Sequence, residues 1–265
     1  MSHLTDQRYL QTEQYKDASN LNARICLHQR FSTNDYRWQR WVFDRLDLPG
    51  RCDVLDVGCG PGDLWLENGD RIPPSWTILL SDLSPGMLQK ARHDLGSSRH
   101  RFTYRILDVQ AIPFADESFD AIIANHMLYH VPDLKRALTE THRVLRPGGQ
   151  LYAATNGSGH LRELRDLVAK FCADADMANP AAGFGLENGA AQLSQHFGHV
   201  TRHRQENALV VTEAEPLIAY ARSMMCQTVL RQNVEALGRA AREQITARGA
   251  IHVQKDSGLF KATKA

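Results

Sequence analysis

The sequence predicts an α/β fold, a mostly parallel sheet with helices on both faces. Three observations predict it. Strand-like and helix-like segments alternate from residue 52 to residue 155. The first strand, Val54-Leu55-Asp56-Val57, runs straight into a glycine-rich turn, Gly58-Cys59-Gly60-Pro61-Gly62. A second apolar run, Trp76 to Ser81, closes on Asp82, twenty residues after Gly62. A glycine turn after one strand and a carboxylate ending the next is the layout of a nucleoside-type cofactor site.

In chain order, residues 1–35 are polar and mixed, with Tyr9, Tyr15, His28 and Phe31 interleaved, and predict one or two short helices ahead of the main fold. Trp38, Trp41, Val42 and Leu46 follow helical spacing, with Pro49-Gly50 as the stop. Strands are predicted over 52–57, 76–81, 101–107, 119–125 and 150–155. Ser84 caps a helix that starts at Pro85 and stops near Gly96. Asp133 caps another, with Leu134, Ala137, Leu138, Thr141 and Leu145 on one face, stopping at Arg146 where Pro147-Gly148-Gly149 turns the chain. Beyond 155 the pattern predicts a helix over 159–176, a short helix over 188–197 and a strand over 199–212. A helical block follows over 213–248, then a final strand or hairpin over 250–263 with Gly258 near its turn. This half reads as completion of the sheet plus a helical insertion over the site.

Bulk properties exclude several classes. At 265 residues and 43% hydrophobic composition the chain can bury a full core as one α/β domain. Lysine and arginine total 31 against 30 acidic residues, which gives no electrostatic footprint for nucleic acid or an anionic membrane. No apolar run is long enough to span a bilayer, and Met1 to Asp6 does not resemble a signal peptide. Cys26, Cys52, Cys59, Cys172 and Cys226 are odd in number and scattered, so a reduced cytoplasmic setting without a zinc site is expected. In that setting the triplet Asn156-Gly157-Ser158 is a chance glycosylation match.

The loop also discriminates between cofactors. A dinucleotide site favours a third glycine where this chain has Asp63, and Asp56 precedes the first glycine. A carboxylate there repels a pyrophosphate and attracts an ammonium. S-adenosylmethionine carries an ammonium and a sulfonium and no phosphate, so the charge pattern favours it over NAD.

Four segments in order then carry a resemblance. They are Val54 to Gly62, the strand end at Asp82, Asp108 through Asp120 (DVQAIPFADESFD), and Arg143 through Gly149 (RVLRPGG). Residues 36–156 resemble the class I S-adenosylmethionine-dependent methyltransferases, in particular the ubiquinone/menaquinone-biosynthesis-like branch (methyltransferase type 11). The resemblance implies a Rossmann-like, seven-stranded sheet, with residues 1–35 as an N-terminal helical cap. Residues 36–265 would form the methyltransferase domain, with its cofactor core at 50–156 and the sheet completion and helical lid at 157–265. It implies that Asp56, Gly58, Cys59, Gly60 and Gly62 line the methionine and ribose end, and that Asp82 takes the ribose hydroxyls. Leu83 and Met87 would flank the adenine, Asp108 and the Val109 amide would bind its edge, and Asn125 and His126 would face the sulfonium. S-adenosylhomocysteine would be the product.

Tyr15, His28, Tyr36, Tyr129 and His130 are candidates for the acceptor pocket, and His130 is the weak candidate for a base. The alternative for each is ordinary packing or a backbone hydrogen bond. Asp116 and Asp120 read as solvated, Trp38 and Trp41 as core, and Cys59 as a small packing residue. His196, His199 and His203 lack metal-ligand spacing. The chain reads Asn125-His126-Met127-Leu128 where DNA amino-methyltransferases carry Asn/Asp-Pro-Pro-aromatic, and it contains no Pro-Cys nucleophile. A small-molecule acceptor is therefore expected. The competing readings are an NAD-dependent oxidoreductase and a catalytically silent S-adenosylmethionine-binding protein.

Overall fold

A computed structural model describes residues 3–171, 179–224 and 227–265. Its sheet has seven strands in the order β3-β2-β1-β4-β5-β7-β6. They are β1 (Cys52–Val57), β2 (Trp76–Asp82), β3 (Phe102–Ile106), β4 (Phe119–Asn125), β5 (Leu145–Asn156), β6 (His199–Val211) and β7 (Ile251–Thr263). The first five are parallel, and β7 inserts antiparallel between β5 and β6. The helices are α1 (Gln7–Tyr9), α2 (Ser19–Phe31), α3 (Trp38–Phe43), α4 (Asp63–Glu67), α5 (Pro85–Asp94), α6 (Leu134–Val144), α7 (Arg162–Ala169), α8 (Gly189–Leu193), α9 (Ala214–Met224) and α10 (Gln227–Arg248). No helix among the described residues is long and apolar enough to cross a membrane.

Strand alternation explains why both faces of the sheet are covered. Leu55, Ile122, Ala153 and Phe260 point to one side, where they pack with Ala137 and Leu138 of α6 and with Phe184. Val54, Ile123, Tyr152 and Leu259 point to the other, against Trp41 of α3 and Trp65 of α4. The cap residues act as read: the Ser84 side chain accepts from the Met87 N–H (3.2 Å), and Asp133 accepts from the Arg136 N–H (2.9 Å).

A third apolar cluster lies outside this sandwich. β5 pairs with β7 only over Ser257–Thr263, whereas β6 pairs with β7 along the full length back to Ile251. The two strands therefore extend past the sheet as a ribbon. Val253 and Leu209 of that ribbon pack with Leu27 of α2, Leu164 of α7, Leu217 of α9 and Leu237 of α10. This cluster seats the helical insertion and the N-terminal helix above the carboxyl ends of the parallel strands.

Several expectations need correction. The helix at Trp38 ends at Phe43, ahead of Leu46 and Pro49. Leu145 is not on the face of α6 but opens β5, opposite Phe119. Residues 146–149 then bulge opposite Asp120, held by Arg146, which pairs with Asp120 (2.7 Å) and Asp53 (2.9 Å). The helix predicted over 159–176 spans only Arg162–Ala169, with 172–178 outside the described residues, as is Cys172. Gly258 is not at a hairpin turn. It lies within β7, between Thr155 and Arg204, where a Cβ would stand 2.4 Å from the His203 carbonyl oxygen. Close strand approach, not a turn, requires glycine there.

Gly258→Ala is therefore expected to destabilise the fold by about 1–3 kcal/mol through overpacking against backbone. Urea unfolding would show a lowered midpoint, and an unchanged midpoint would contradict this placement of β7.

Candidate functional site

One cavity of about 780 Å³ opens above the carboxyl ends of β1, β2, β4 and β5, within the size range of small-molecule sites. The glycine loop forms part of its floor. Gly58 has φ +65°, and a Cβ on it would meet the Met127 Cβ at 2.8 Å, so a side chain is excluded by both conformation and space. The loop is pinned to β2: the Cys59 N–H donates to the Ser81 carbonyl and the Gly60 N–H to Asp82 Oδ2, both at 2.9 Å. Asp82 Oδ1 accepts from the Ser84 N–H at 2.8 Å. Asp82 thus joins the loop to the start of α5 while its remaining lone pairs face the cavity. It is half-buried in the site rather than at an exposed strand end, and burial raises its pKa.

Asp56 is the most strained charge in the site. It is buried, its Oδ2 accepts from Trp65 Nε1–H (2.7 Å), and its Oδ1 has no hydrogen-bond partner among the described residues. Burial, with a smaller contribution from nearby Asp82, pushes its pKa up to about 7. A cation placed against Oδ1 would relieve this. Cys59 also lines the cavity, and burial raises its thiol, so it is a neutral packing group. Gly62 does not line the cavity. Its positive φ starts α4, and the space a side chain would need is taken by Leu95.

Leu83, Met87, Asp108 and Val109 line the next part of the cavity. Asp108 accepts from the Gln110 N–H (2.9 Å) and from Gln7 Nε2–H (2.9 Å). Gln7 lies in the N-terminal segment, so that segment reaches the cavity wall. Asn125 ends β4, and its Oδ1 accepts from Trp38 Nε1–H (3.1 Å). His126 follows in the left-handed region (φ +59°), a backbone position favoured by few non-glycine residues. Its Nδ1 is buried without a partner among the described residues, and burial lowers its pKa to about 4.

The N-terminal segment closes the other side. The Ser84 hydroxyl donates to the Tyr15 carbonyl oxygen (2.7 Å). His130 Nδ1–H donates to the Leu4 carbonyl oxygen (2.8 Å), which leaves Nε2 to accept from the Tyr15 hydroxyl (3.0 Å). Both ring nitrogens are thus engaged in holding the segment, and burial lowers the pKa of His130 to about 4. Of the two readings of His130, a base or a backbone hydrogen bond, the structure shows the backbone hydrogen bond, to Leu4. Tyr15, His28, Tyr36 and Tyr129 all line the cavity, with Tyr36 at an exposed position. Asp116 and Asp120 are paired with Arg143 and Arg146. Among the described residues no cluster of His, Cys, Asp or Glu is placed to hold a metal ion.

Sequence reasoning missed other lining residues: Gln7, Arg24, Trp38, Asn156, His160 and Lys255. Trp38, expected as core, does pack against the core cluster and stacks on buried Trp41, but its other side lines the cavity, tilted against His126 (ring centroids 4.9 Å apart). The spacing of Trp38 signals a helix and not which side of that helix faces a ligand. His160 and Lys255 lie in the segment whose pattern was loosest.

Comparison with known proteins matches this arrangement. Residues 55–153 match the family model described as a methyltransferase domain. A ubiquinone/menaquinone biosynthesis C-methyltransferase from Geobacter sp. (strain M21) is 36% identical over 135 residues, which is 50% of this chain and 57% of that protein. A malonyl-[acyl-carrier protein] O-methyltransferase from Salmonella typhimurium is 42% identical over 123 residues, 44% of this chain and 45% of that protein. The chain thus spans about half the length of the curated relatives it matches. Among solved structures, the fold is similar to phosphoethanolamine N-methyltransferase 2 from Haemonchus contortus, with a TM-score of 0.60 and 16% identity. That likeness covers 100% of this chain and 61% of that one, in a structure with phosphomonomethylethanolamine and S-adenosylhomocysteine. Residues 55–153, which build the glycine loop, the Asp82 strand end and β4, are thus the part of the chain that is similar to the methyltransferase domain family.

Proposed function

We propose that the chain binds S-adenosylmethionine and transfers its methyl group to a small-molecule acceptor held in the same cavity. The observation that carries this reading is Asp56, a buried carboxylate beside the glycine loop with one oxygen unsatisfied. It suits the ammonium of the methionine moiety and repels the pyrophosphate of NAD. The likeness to a structure holding S-adenosylhomocysteine supports the same cofactor. Asp82 would accept from the ribose hydroxyls, Leu83 and Met87 would flank the adenine, and Asp108 with the Val109 amide would bind its edge. Asn125 and His126 would face the sulfonium region.

Bound S-adenosylmethionine supplies an activated methyl carbon. The chain's own task is to hold the acceptor in line with that carbon and to exclude water. The residue 1–35 cap and the helical insertion are suited to both, because Tyr15, His130 and the Ser84 hydroxyl tie the cap across the strand ends. Tyr15, His28, Tyr36, Tyr129 and His130 would form the acceptor walls. A reduced, cytoplasmic setting belongs to this reading, on the scattered cysteines.

Parallel calorimetric titration tests the cofactor. S-adenosylmethionine and S-adenosylhomocysteine are expected to bind and NAD to give no heat; binding of NAD alone would overturn the reading. Asp56 adds a pH signature. Only its ionised form attracts the ammonium, so affinity rises with pH toward and past about 7. S-adenosylhomocysteine is expected to bind roughly five- to tenfold tighter at pH 7.5 than at pH 6, with proton release at the lower pH. Asp56→Asn should flatten this profile, and a profile that persists in the variant would assign the titration elsewhere.

Asp82→Ala should weaken S-adenosylhomocysteine by about ten- to a hundredfold, from loss of charged hydrogen bonds and of the loop anchor. Wild-type affinity in a folded variant would show the ribose to be elsewhere.

A further inference from the structure

The cavity is divided by charge. Its acidic lining residues are Asp35, which is exposed, and Asp56, Asp63, Asp82 and Asp108, which belong to the glycine loop and the strand ends. The portion under α2, α7 and the β6–β7 ribbon is lined instead by Arg24, His28, His160, Arg165 and Lys255, with His126 at the junction; Arg37, which also lines the cavity, is paired with Glu67. No ion pair among the described residues involves Arg24, Arg165 or Lys255. Cations half-buried without a counter-ion are costly, and the cost falls when a ligand brings the anion.

The three cations are not equivalent. Arg24 donates to the Ser223 carbonyl oxygen (2.7 Å), the Ser223 hydroxyl (3.1 Å) and the Tyr15 hydroxyl (3.3 Å), so neutral acceptors already hold its guanidinium. Arg165 donates to the carbonyl oxygens of His160 and Ser158. Among the described residues Lys255 donates once, to the Ser32 hydroxyl at 3.2 Å. An ammonium has three N–H donors, so it keeps capacity for a ligand. Lys255 sits on β7 just beyond Ser257, where pairing with β5 ends and the ribbon leaves the sheet. Its charge bears on His28, His126 and His160, and burial lowers its own pKa to about 8.

The histidines add directional groups. The Asp256 N–H donates to His160 Nδ1 (3.1 Å), so the neutral ring carries its proton on Nε2 and offers a donor. His28 Nδ1 is buried and has no partner among the described residues. Ser32 supplies a hydroxyl to the same cavity, whereas the Ser257 hydroxyl, also in its lining, donates to Asn156 Oδ1 (2.7 Å).

We propose that the methyl acceptor is an oxyanion, carrying a carboxylate or a phosphate that binds Lys255 beside the neighbouring rings of His28 and His160 (centroids 6.0 Å apart), and that this subsite sets acceptor choice. It rests on the methyl-transfer reading above and adds the chemical class of the acceptor. The anion neutralises Lys255, while the neutral imidazoles and hydroxyls orient it.

The test uses the full chain saturated with S-adenosylhomocysteine and titrated with sodium phosphate, sodium acetate or sodium chloride. The readout is the imidazole C–H resonances of His28, His126 and His160. Phosphate or acetate is expected to shift them saturably where chloride does not. Phosphate alone would identify a phosphorylated acceptor, and acetate alone a carboxylate. Lys255→Gln should weaken the anion at least tenfold and leave S-adenosylhomocysteine affinity unchanged, which also shows that the variant folds. Lys255→Arg should restore binding. Equal anion shifts in Lys255→Gln would overturn the proposal, as would no shift in a wild-type protein that binds S-adenosylhomocysteine. Failure to bind S-adenosylhomocysteine would instead count against the cofactor reading, and the anion titration would still read the subsite in the free protein.

Discussion

The Asp82 carboxylate is the interaction on which the site depends. Its two oxygens accept from the Gly60 and Ser84 N–H groups, so one side chain fixes the glycine loop after β1 against the first turn of α5. That tie adds to the Cys59 N–H bond to the Ser81 carbonyl in holding a loop that has positive φ at Gly58, Gly60 and Gly62. The same turn of α5 meets the N-terminal segment, where the Ser84 hydroxyl donates to the Tyr15 carbonyl and Gly86 lies against Lys16. Loop, helix and cap therefore form one connected unit.

From this unit follows a chamber with two electrostatic ends. Among the described residues Asp56 carries an unsatisfied oxygen at one end, and Lys255 has spare donors at the other. Each charge is costly when empty and favourable when matched by a ligand group of opposite sign. A cofactor with an ammonium and an acceptor with an oxyanion would be bound side by side and in fixed orientation. Positioning of this kind is the main requirement of an in-line transfer to an already activated carbon.

Much of the core was legible because its signals are local. β1 and β4 match the predicted spans, and the caps at Ser84 and Asp133 act as read, since strand alternation and capping depend on neighbours in sequence. The turn at Gly58–Gly62 and the strand end at Asp82 are legible for the same reason, whereas Asp108 is pointed to only by the family resemblance. What could not be read depends on distant contacts. Gly258 resembles a turn residue until the His203 carbonyl is found against it. Pro147-Gly148-Gly149 resembles a helix stop followed by a loop, whereas Arg146 bonds to Asp53 and Asp120 keep the segment within a bulged strand. Lys255 and His160 carry no motif: the extension of β7 past the sheet brings Lys255 over the site, and the Asp256 N–H of the same strand holds His160, which lies in the turn after β5. The partners of His130, Tyr15 and Leu4, are not legible in the sequence, because they lie more than a hundred residues earlier.

The most direct measurement of the central claim is hydrogen–deuterium exchange with and without S-adenosylhomocysteine, on the wild type and on Gly86→Ala. An added Cβ at Gly86 would fall 2.0 Å from the Lys16 carbonyl oxygen, so the substitution pushes the cap away while favouring α5 itself. If loop and cap are one unit, the ligand will protect residues 55–63 and 4–31 together in the wild type. In Gly86→Ala the cap will exchange faster and its protection by the ligand will be lost. Protection of the loop with no change in the cap, in both proteins, would contradict the account.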